Sequence, residues 1–417
     1  MLALSQVGQS DLPFRVLVRQ HGATVVFGEM LMADRFAADA GYRVQAFGAR
    51  GLRRDDHPFV CQFAANDPAT FVAAALEAQA LGCDGVDLNL GCPQRRAQEG
   101  HYGSFLTDPA DWSLCCEIVR AAATHPELSI PITVKMRLQP TLVATLAFAR
   151  QLASAGASLV SVHGRQRGRE DQRRGGAANL VWVAAVVQAL APLGVPVVTN
   201  GNVRCPRDVA NNLAATGAAG IMVAEEILRD PAVFARARAA LNARDDGNGS
   251  SRGSASNRGS LASERTSESE VPSRSVLADG YVALLERFAT HAFNSDDEDN
   301  KEGTQHAPLR MDDGSAPAGK GRSLRLEVAA TASDGAGGNE ADADAAGEFE
   351  RLSAWWTNHE VLKAHLTQLV GACTADNDGG LSRKTFRGAN TTTAVVAAYR
   401  TRKAAAGAPA RRNFNNK

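Results

Sequence analysis

The stretch PFVCQFAANDPATFVAAALEAQALGCDGVDLNLG (58–91) decides the architecture. It opens on a short apolar run, PFVCQFA (58–64), and closes on another, GVDLNLG (85–91). Between them lies the amphipathic segment PATFVAAALEAQALG (68–82). Two strands joined through a helix need a crossover, and a crossover leaves them parallel.

The same rhythm runs outward in both directions. TVVFGEM (24–30) precedes this unit, and ITVKMRL (132–138), LVSVHGR (159–165), VPVVTNG (195–201) and AGIMVAE (219–225) follow it. LVATLAFARQLASAG (142–156) is another of the helical segments between them. The opening MLALSQV (1–7) supplies a short eighth strand at the start of the series. Eight βα units in about 240 residues match the usual size of a TIM (β/α)8 barrel, roughly 250 residues. The expected class is therefore α/β, with a barrel over residues 1–241. A doubly wound open sheet is the rival, and no GxGxxG follows an early strand to support it.

Beyond the barrel the composition changes. Residues 242–275 are Ser, Gly and charge, too poor in apolar surface to offset the entropy of ordering, and read as a disordered linker. Residues 276–293 regain helical periodicity, 294–348 form a second polar insert, and 349–371 carry Trp355, Trp356, Leu362, Leu366 and Leu369. The two helical pieces are expected to pack together as a small α-helical domain, because neither can bury its apolar face alone. Residues 372–417 read as a basic, largely disordered tail.

The 417 residues hold 45 Lys+Arg against 45 Asp+Glu, so a nucleic-acid site would have to be a local patch and not the whole surface. Seven cysteines without a CxxC pair argue against a disulfide framework or a cysteine zinc site and suit a reducing compartment. The expected location is the cytoplasm, with the nucleus as a second. No metal is expected. No membrane span is expected either, since no run of eighteen apolar residues exists, and the N-terminus lacks the pattern of a signal peptide. Nothing in the sequence marks an oligomeric state.

In such barrels the active site lies at the C-terminal strand ends. Polar residues gather at six successive ends: Gln62; Asn89 with Gly91-Cys92-Pro93-Gln94; Lys135 and Arg137; His163 and Arg165; Asn200-Gly201-Asn202; and Ala224-Glu225-Glu226. All six would open onto one cleft. An ammonium inside an apolar strand is costly unless something anionic meets it, which marks Lys135 as a ligand-facing residue. Cys92, held between Gly91 and Pro93, reads as a fixed and accessible thiol, whereas Cys83, Cys115 and Cys116 read as packing. The loops after the fourth and sixth strands carry Arg95, Arg96, His101, Arg165, Arg167, Arg169, Arg173 and Arg174, a candidate RNA-facing patch. Arg383, Lys384, Arg387, Arg400, Arg402 and Lys403 would extend it from the tail.

QSDLPFR (9–15), QFAANDP (62–68), DLNLGCPQ (87–94), GHYGSFL (100–106), VKMR (134–137), VHGR (162–165) and NGNV (200–203) resemble the tRNA-dihydrouridine synthases. The likeness is strongest to the eukaryotic branch that acts on D-loop uridines (positions 16/17). It covers residues 4–241 and, more loosely, 276–293 and 359–371. The resemblance implies FMN-dependent reduction of tRNA uridines, driven by NADPH or NADH. Cys92 would give a proton to C5 of the uracil while the flavin gives hydride to C6. Gln62, Lys135, His163, Asn200, Gly201 and Asn202 would hold FMN, with the Ala224-Glu225 turn near its phosphate. Asn89 would face flavin and uracil, and Arg95, Arg137 and Arg165 would face RNA or phosphate. A free thiol with a pKa near 8.5 is roughly 97% protonated at pH 7, so a cysteine suits proton donation.

The chain departs from the family where the first strand usually reads Ala-Pro-Met and here has Leu4, Ser5 and Gln6, an altered strand or a shortened start. GRQRGREDQRRGG (164–176) also departs from the usual loop, and Glu225-Glu226 would place acid beside the phosphate, leaving it to backbone N–H groups. The insert at 294–348 is expected to weaken the helical domain. Two alternatives remain: an FMN dehydrogenase of a free pyrimidine, and a flavin-deficient RNA-binding homologue.

Overall fold

The computed structural model describes residues 1–4, 10–47, 52, 54–168, 176–248, 271–291, 366 and 392–407. Eight parallel strands close a barrel in chain order. They are β1 (Leu2–Leu4), β2 (Val25–Met32), β3 (Phe59–Ala64), β4 (Gly85–Leu90), β5 (Ile132–Leu138), β6 (Leu159–Gln166), β7 (Val197–Asn200) and β8 (Gly220–Val223). The short opening strand closes the ring, pairing with β2 on one side and β8 on the other.

The helices are α1 (Leu12–Gln20), α2 (Ala33–Ala38), α3 (Ala40–Phe47), α4 (Pro68–Ala80), α5 (Arg95–Glu99), α6 (Trp112–Ala123) and α7 (Leu142–Ser154). Then come α8 (Leu180–Leu190), α9 (Pro206–Thr216), α10 (Glu225–Arg229), α11 (Val233–Asn248), α12 (Arg274–His291) and α13 (Thr392–Gly407). Their starts are written in the sequence. Asp11, Asp67, Thr141 and Asn179 each accept a hydrogen bond from the backbone N–H three residues on, opening α1, α4, α7 and α8.

Strands β3 and β4 are buried along their whole length, as helix-covered parallel strands must be. Alternation sorts their side chains. Phe63, Leu88, Val134 and Val162 point outward into the layer between sheet and helices. Leu2, Phe27, Val60, Val198 and Met222 fill the barrel interior. The same alternation turns Gln62, Asp87, Asn89, Lys135 and Asn200 inward above that plug, and all are buried.

Helix α12 packs on α1, where Phe14 meets Tyr281 edge-on and the Tyr281 hydroxyl donates to Asp11 Oδ2 at 2.5 Å. Asp11 also caps α1 through Phe14 N, at 2.8 Å. One carboxylate thus ties the start of the barrel to a helix 270 residues later. Tyr281→Phe is expected to cost about 1.5–3 kcal/mol, the range for a hydrogen bond to a charged group, as measured by urea unfolding.

Two expectations for the C-terminal region change. Part of the stretch read as a largely disordered tail is helix: α13 buries Val395, Val396 and Tyr399. Tyr399 donates to Asp279 on α12 at 2.8 Å, and Arg400 pairs with Glu286. Helix α11 runs to Asn248 and α12 starts at Arg274, so ordered structure encroaches on both ends of the segment read as linker. Of 349–371 only Leu366 is described, and it is buried; the insert 294–348 and the two tryptophans lie outside the described residues.

Candidate functional site

Strand register sets the site. Gln62 stands beside Asp87, Asn89 beside Lys135, Arg137 beside His163, His163 beside Asn200, and Asn200 beside Met222. A polar ring therefore runs around the C-terminal mouth of the barrel. It opens into a cleft of about 450 Å³ lined by these strand ends and the loops that follow them.

Gln62, Asn89, Cys92, Lys135, Arg137 and His163 all line this cleft. So do Arg165, Asn200, Gly201, Asn202, Ala224 and Glu225. Of the residues expected to hold cofactor or substrate, Arg95 does not, and of the acid pair expected beside the phosphate Glu226 does not. Arg95 is exposed on α5 and its Nε donates to Glu99 at 2.8 Å. The i,i+4 spacing of those two residues was a readable sign of a local pair.

The Cys92 loop is held from three sides. Asn89 Oδ1 accepts from the backbone N–H of Gly91 at 3.0 Å and of Cys92 at 2.9 Å. Arg137 Nε donates to the Gly91 carbonyl at 2.7 Å. The Cys92 carbonyl accepts from Ser104 N at 3.0 Å and Ser104 Oγ at 2.9 Å. The last contact needs Gly103, whose φ is +63°. A Cβ there would sit 2.8 Å from the Cys92 carbonyl oxygen and 2.9 Å from Cys92 Cβ. This is why the sequence GHYGS belongs with GCP.

Charge at the mouth is positive and mostly desolvated. Burial, aided by Arg137, pulls the Lys135 ammonium down to about 8, while Asp87 and Cys92 oppose that shift. No hydrogen bond to another described residue engages the Lys135 ammonium. Arg137 is pulled down to about 10, first by burial. Burial, then the charges of Lys135, Arg137 and Arg165, push His163 well below the ordinary histidine value, so its ring is neutral at neutral pH. His163 Nδ1 is buried with no hydrogen-bond partner among the described residues. A mouth with an unpaired ammonium and an orphaned imidazole nitrogen is built to meet a polar, electron-rich guest.

Beyond β7 the backbone turns sharply at Gly201 (φ +111°) and Asn202 (φ +59°). The Asn202 side chain is committed to its neighbours. Its Oδ1 accepts from Ala178 N at 2.8 Å and from Arg165 Nη2 at 3.0 Å, and its Nδ2 donates to the Ala178 carbonyl at 3.1 Å. A guest at this turn would meet backbone more than amide.

Glu225 lines the cleft, whereas Glu226 is buried away from it, with Arg274 at 3.8 Å and Arg229 at 3.9 Å. Only one of the two acids expected near a phosphate is therefore there, and Arg204 also lines the cleft. Sequence reading missed Arg204, Met30 and Met222. Arg204 lies four residues past its strand end, and the two methionines belong to apolar strand runs.

The basic patch is weaker than the count of basic residues suggested. Arg95 faces Glu99, His101 faces Asp111 at 3.2 Å, and Arg167 pairs with Asp108 at 2.9 Å while lying over Phe105. Acids of the segment after β4 face all three bases, Arg167 from across the loops, and counting only bases hides that. Arg96 is exposed, and Arg169, Arg173 and Arg174 lie outside the described residues, as do Ser5 and Gln6. Among the described residues no helix is long and apolar enough to cross a membrane, and no cluster of three or more His, Cys, Asp or Glu could hold a metal ion.

The family model and the curated relatives that match this chain point to one family. A family model described as dihydrouridine synthase (Dus) matches residues 1–252. A tRNA-dihydrouridine(16/17) synthase-like protein of Mus musculus is 42% identical over 228 residues, covering 55% of this chain and 46% of the relative. A tRNA-dihydrouridine(16/17) synthase of Saccharomyces cerevisiae is 38% identical over 228 residues, covering 55% and 52%. A tRNA-dihydrouridine(20a/20b) synthase of Schizosaccharomyces pombe is 32% identical over 236 residues, covering 56% and 68%. The chain spans about half the length of the first two. Because the matched segment takes in every strand of the barrel and every loop of its cleft, the chain belongs to the dihydrouridine synthase family.

Proposed function

We propose that this protein reduces uridines of tRNA to 5,6-dihydrouridine, using FMN recharged by NADPH or NADH, with Cys92 as proton donor. The observation that carries the reading is the Cys92 loop, pinned by Asn89, Arg137 and Ser104 on the same cleft as the buried Lys135. The relatives' names, which specify tRNA, dihydrouridine and positions 16/17, support the substrate and favour the D-loop branch.

The residues present fit a flavin. Among the described residues the Lys135 ammonium has no hydrogen-bond partner and His163 Nδ1 is an orphaned ring nitrogen, and Gln62 and Asn200 stand at other strand ends of the same cleft. Gly201, the Ala224-Glu225 turn, Arg165 and Arg204 would receive the phosphate end. When bound, FMN supplies the hydride for C6 of the ring. The chain supplies the rest. Cys92 holds the proton for C5, and the anion left behind lies in the field of Lys135 and Arg137. Asn89, buried beside the thiol, would orient the pyrimidine edge. A base in a folded tRNA must leave its stack to enter this mouth, so the enzyme extrudes it. Arg96 and the arginines of the loop after β6 would meet the RNA backbone.

Purified protein incubated with FMN, NADPH and unmodified tRNA should form dihydrouridine, read by mass spectrometry of RNA digests. Activity on free pyrimidines and none on tRNA would overturn the reading. Protein that never binds flavin would do the same. Lys135 gives a second test. Its ammonium is depressed to about 8 by burial, so the free protein loses this charge as pH rises through 8. Flavin affinity should therefore fall above pH 8. Lys135→Met should abolish that pH dependence and weaken flavin binding by about 10–100-fold, the worth of a charge-assisted hydrogen bond. Fluorescence quenching titrations between pH 6.5 and 9.5 (roughly the range around the cited value) would check this.

A further inference from the structure

Asp87 lies one step beneath the cleft, fully buried on β4, and the motif that contains it draws attention to Asn89 and Cys92 instead. Its Oδ2 accepts from Gln62 Nε2 at 2.8 Å and its Oδ1 from Thr133 Oγ1 at 2.6 Å. Gln62 Oε1 then accepts from Asn89 Nδ2 at 2.8 Å. Asn89 Oδ1 in turn accepts from the N–H groups of Gly91 and Cys92. Three links, the first two fully buried, thus connect one carboxylate oxygen to the backbone of the thiol residue.

Each amide in that chain is a two-ended group, donor on one side and acceptor on the other. Its direction matters. The backbone N–H groups of Gly91 and Cys92 can only donate, so Asn89 must turn its oxygen to them and its nitrogen to Gln62. Gln62 must then turn its oxygen to Asn89 and its nitrogen onward. The nitrogen needs an acceptor at the far end, and Asp87 Oδ2 is that acceptor. Without it, Gln62 is left with a buried unpaired donor or turns and sets nitrogen against nitrogen at Asn89. Burial raises Asp87 to about 6, against the pull of Thr133, Gln62 and Lys135. Protonation does not break the relay. A proton on Oδ1 can be given to Thr133, whose own hydroxyl reaches the Val86 carbonyl at 3.4 Å, and Oδ2 still accepts.

We propose that Asp87 is a positioning residue: its Oδ2 polarises a Gln62–Asn89 amide relay that fixes the Cys92 loop over the cleft. The proposal rests on the assignment of Cys92 as proton donor, and it separates the acceptor role of Asp87 from a role as counter-charge to Lys135. Asn at this position can satisfy both neighbours, with its oxygen toward Gln62 and its nitrogen toward Thr133. Ala can satisfy neither.

The test compares Asp87→Asn and Asp87→Ala in the full chain reconstituted with FMN. Two quantities are read: the alkylation rate of Cys92 by iodoacetamide across pH, resolved by peptide mass spectrometry, and kcat and KM on tRNA. Asp87→Asn should leave the alkylation profile and kcat near those of the parent. Asp87→Ala should change the alkylation profile and lower kcat about 10²-fold with little change in KM, the cost of a misplaced reacting group. Equal loss in both variants would assign Asp87 to the Lys135 charge and overturn the relay. A parent-like alkylation profile and kcat in Asp87→Ala would overturn it too. If Asp87→Ala fails to fold, Asp87→Asn decides: a parent-like profile upholds the acceptor role and a shifted one refutes it. Alkylation needs no turnover, so the relay can stand or fall even if Cys92→Ala shows that the thiol is not the donor.

Discussion

Cys92→Ala is expected to lower dihydrouridine formation by about 10²–10⁴-fold, the usual contribution of a positioned general acid, while leaving bound flavin in place. The two halves of this expectation come from different atoms. The Cys92 backbone is held by Asn89 and Ser104, and its neighbour Gly91 by Arg137; none of these bonds involves the sulfur. Removing Sγ therefore leaves the loop and the polar ring of Gln62, Lys135, His163 and Asn200 intact. Flavin absorbance should survive, and the KM for tRNA should change little, because the lost interaction forms in the transition state. Reduction of the flavin by NADPH should also persist, since that half of the cycle needs no proton from Cys92. A variant that retains both flavin reduction and full dihydrouridine formation would remove Cys92 from the chemistry. Loss of flavin with loss of activity would mean that the thiol is part of the packing of the mouth.

Gly103→Ala would reach the same loop through the backbone, by pressing a methyl group into the Cys92 carbonyl. The contrast shows what could be read from the sequence. The barrel was legible because each strand is a short apolar run and amphipathic segments such as 68–82 and 142–156 stand between those runs. Lys135 and Cys92 were legible because a polar side chain in a buried strand, or a thiol fixed between glycine and proline, conflicts with simple packing. Asp87 was not, although it shares a strand face with Asn89 two residues on, because its partners Gln62 and Thr133 come from other strands. The RNA patch was overread for a related reason. Glu99 and Asp111 stand close in sequence to Arg95 and His101, and Asp108 reaches Arg167 from another loop, yet a count of positive residues passes over all three acids. Helix α13 was passed over because the arginines and lysine of its second half outweighed the apolar Val395, Val396 and Tyr399 of its first.

The largest expected loss of stability lies at the opposite end of the barrel. Asp56, fully buried just before β3, receives both Arg15 Nε and Arg15 Nη2 on Oδ2 at 2.7 Å, and Arg19 Nη2 approaches its Oδ1 at 3.5 Å. Arg15 also lies over the Phe59 ring, 5.1 Å from its centre, and Arg19 donates to the carbonyls of Asp56 and Pro58. Burial lowers Arg19 from its ordinary value, and Asp56 is the main influence opposing that. Asp56→Ala would leave two largely buried guanidinium groups without their counter-ion. Breaking a buried pair from one side costs about 3–5 kcal/mol, because the stranded charge has lost water and gained nothing. For a barrel of this size that is a fall in melting temperature on the order of 10 °C. Asp56→Asn keeps an acceptor and loses only the charge, so it should fall between the parent and the alanine variant. Asp56 lies at the N-terminal face, where residues of such barrels serve stability, and the cleft lies at the other face. The folded fraction of Asp56→Ala should accordingly keep the parent kcat on tRNA below its transition, with the loss visible only in urea or thermal unfolding. A large drop in kcat at temperatures where the variant is still folded would show that α1 and β3 transmit strain through the barrel to the thiol loop.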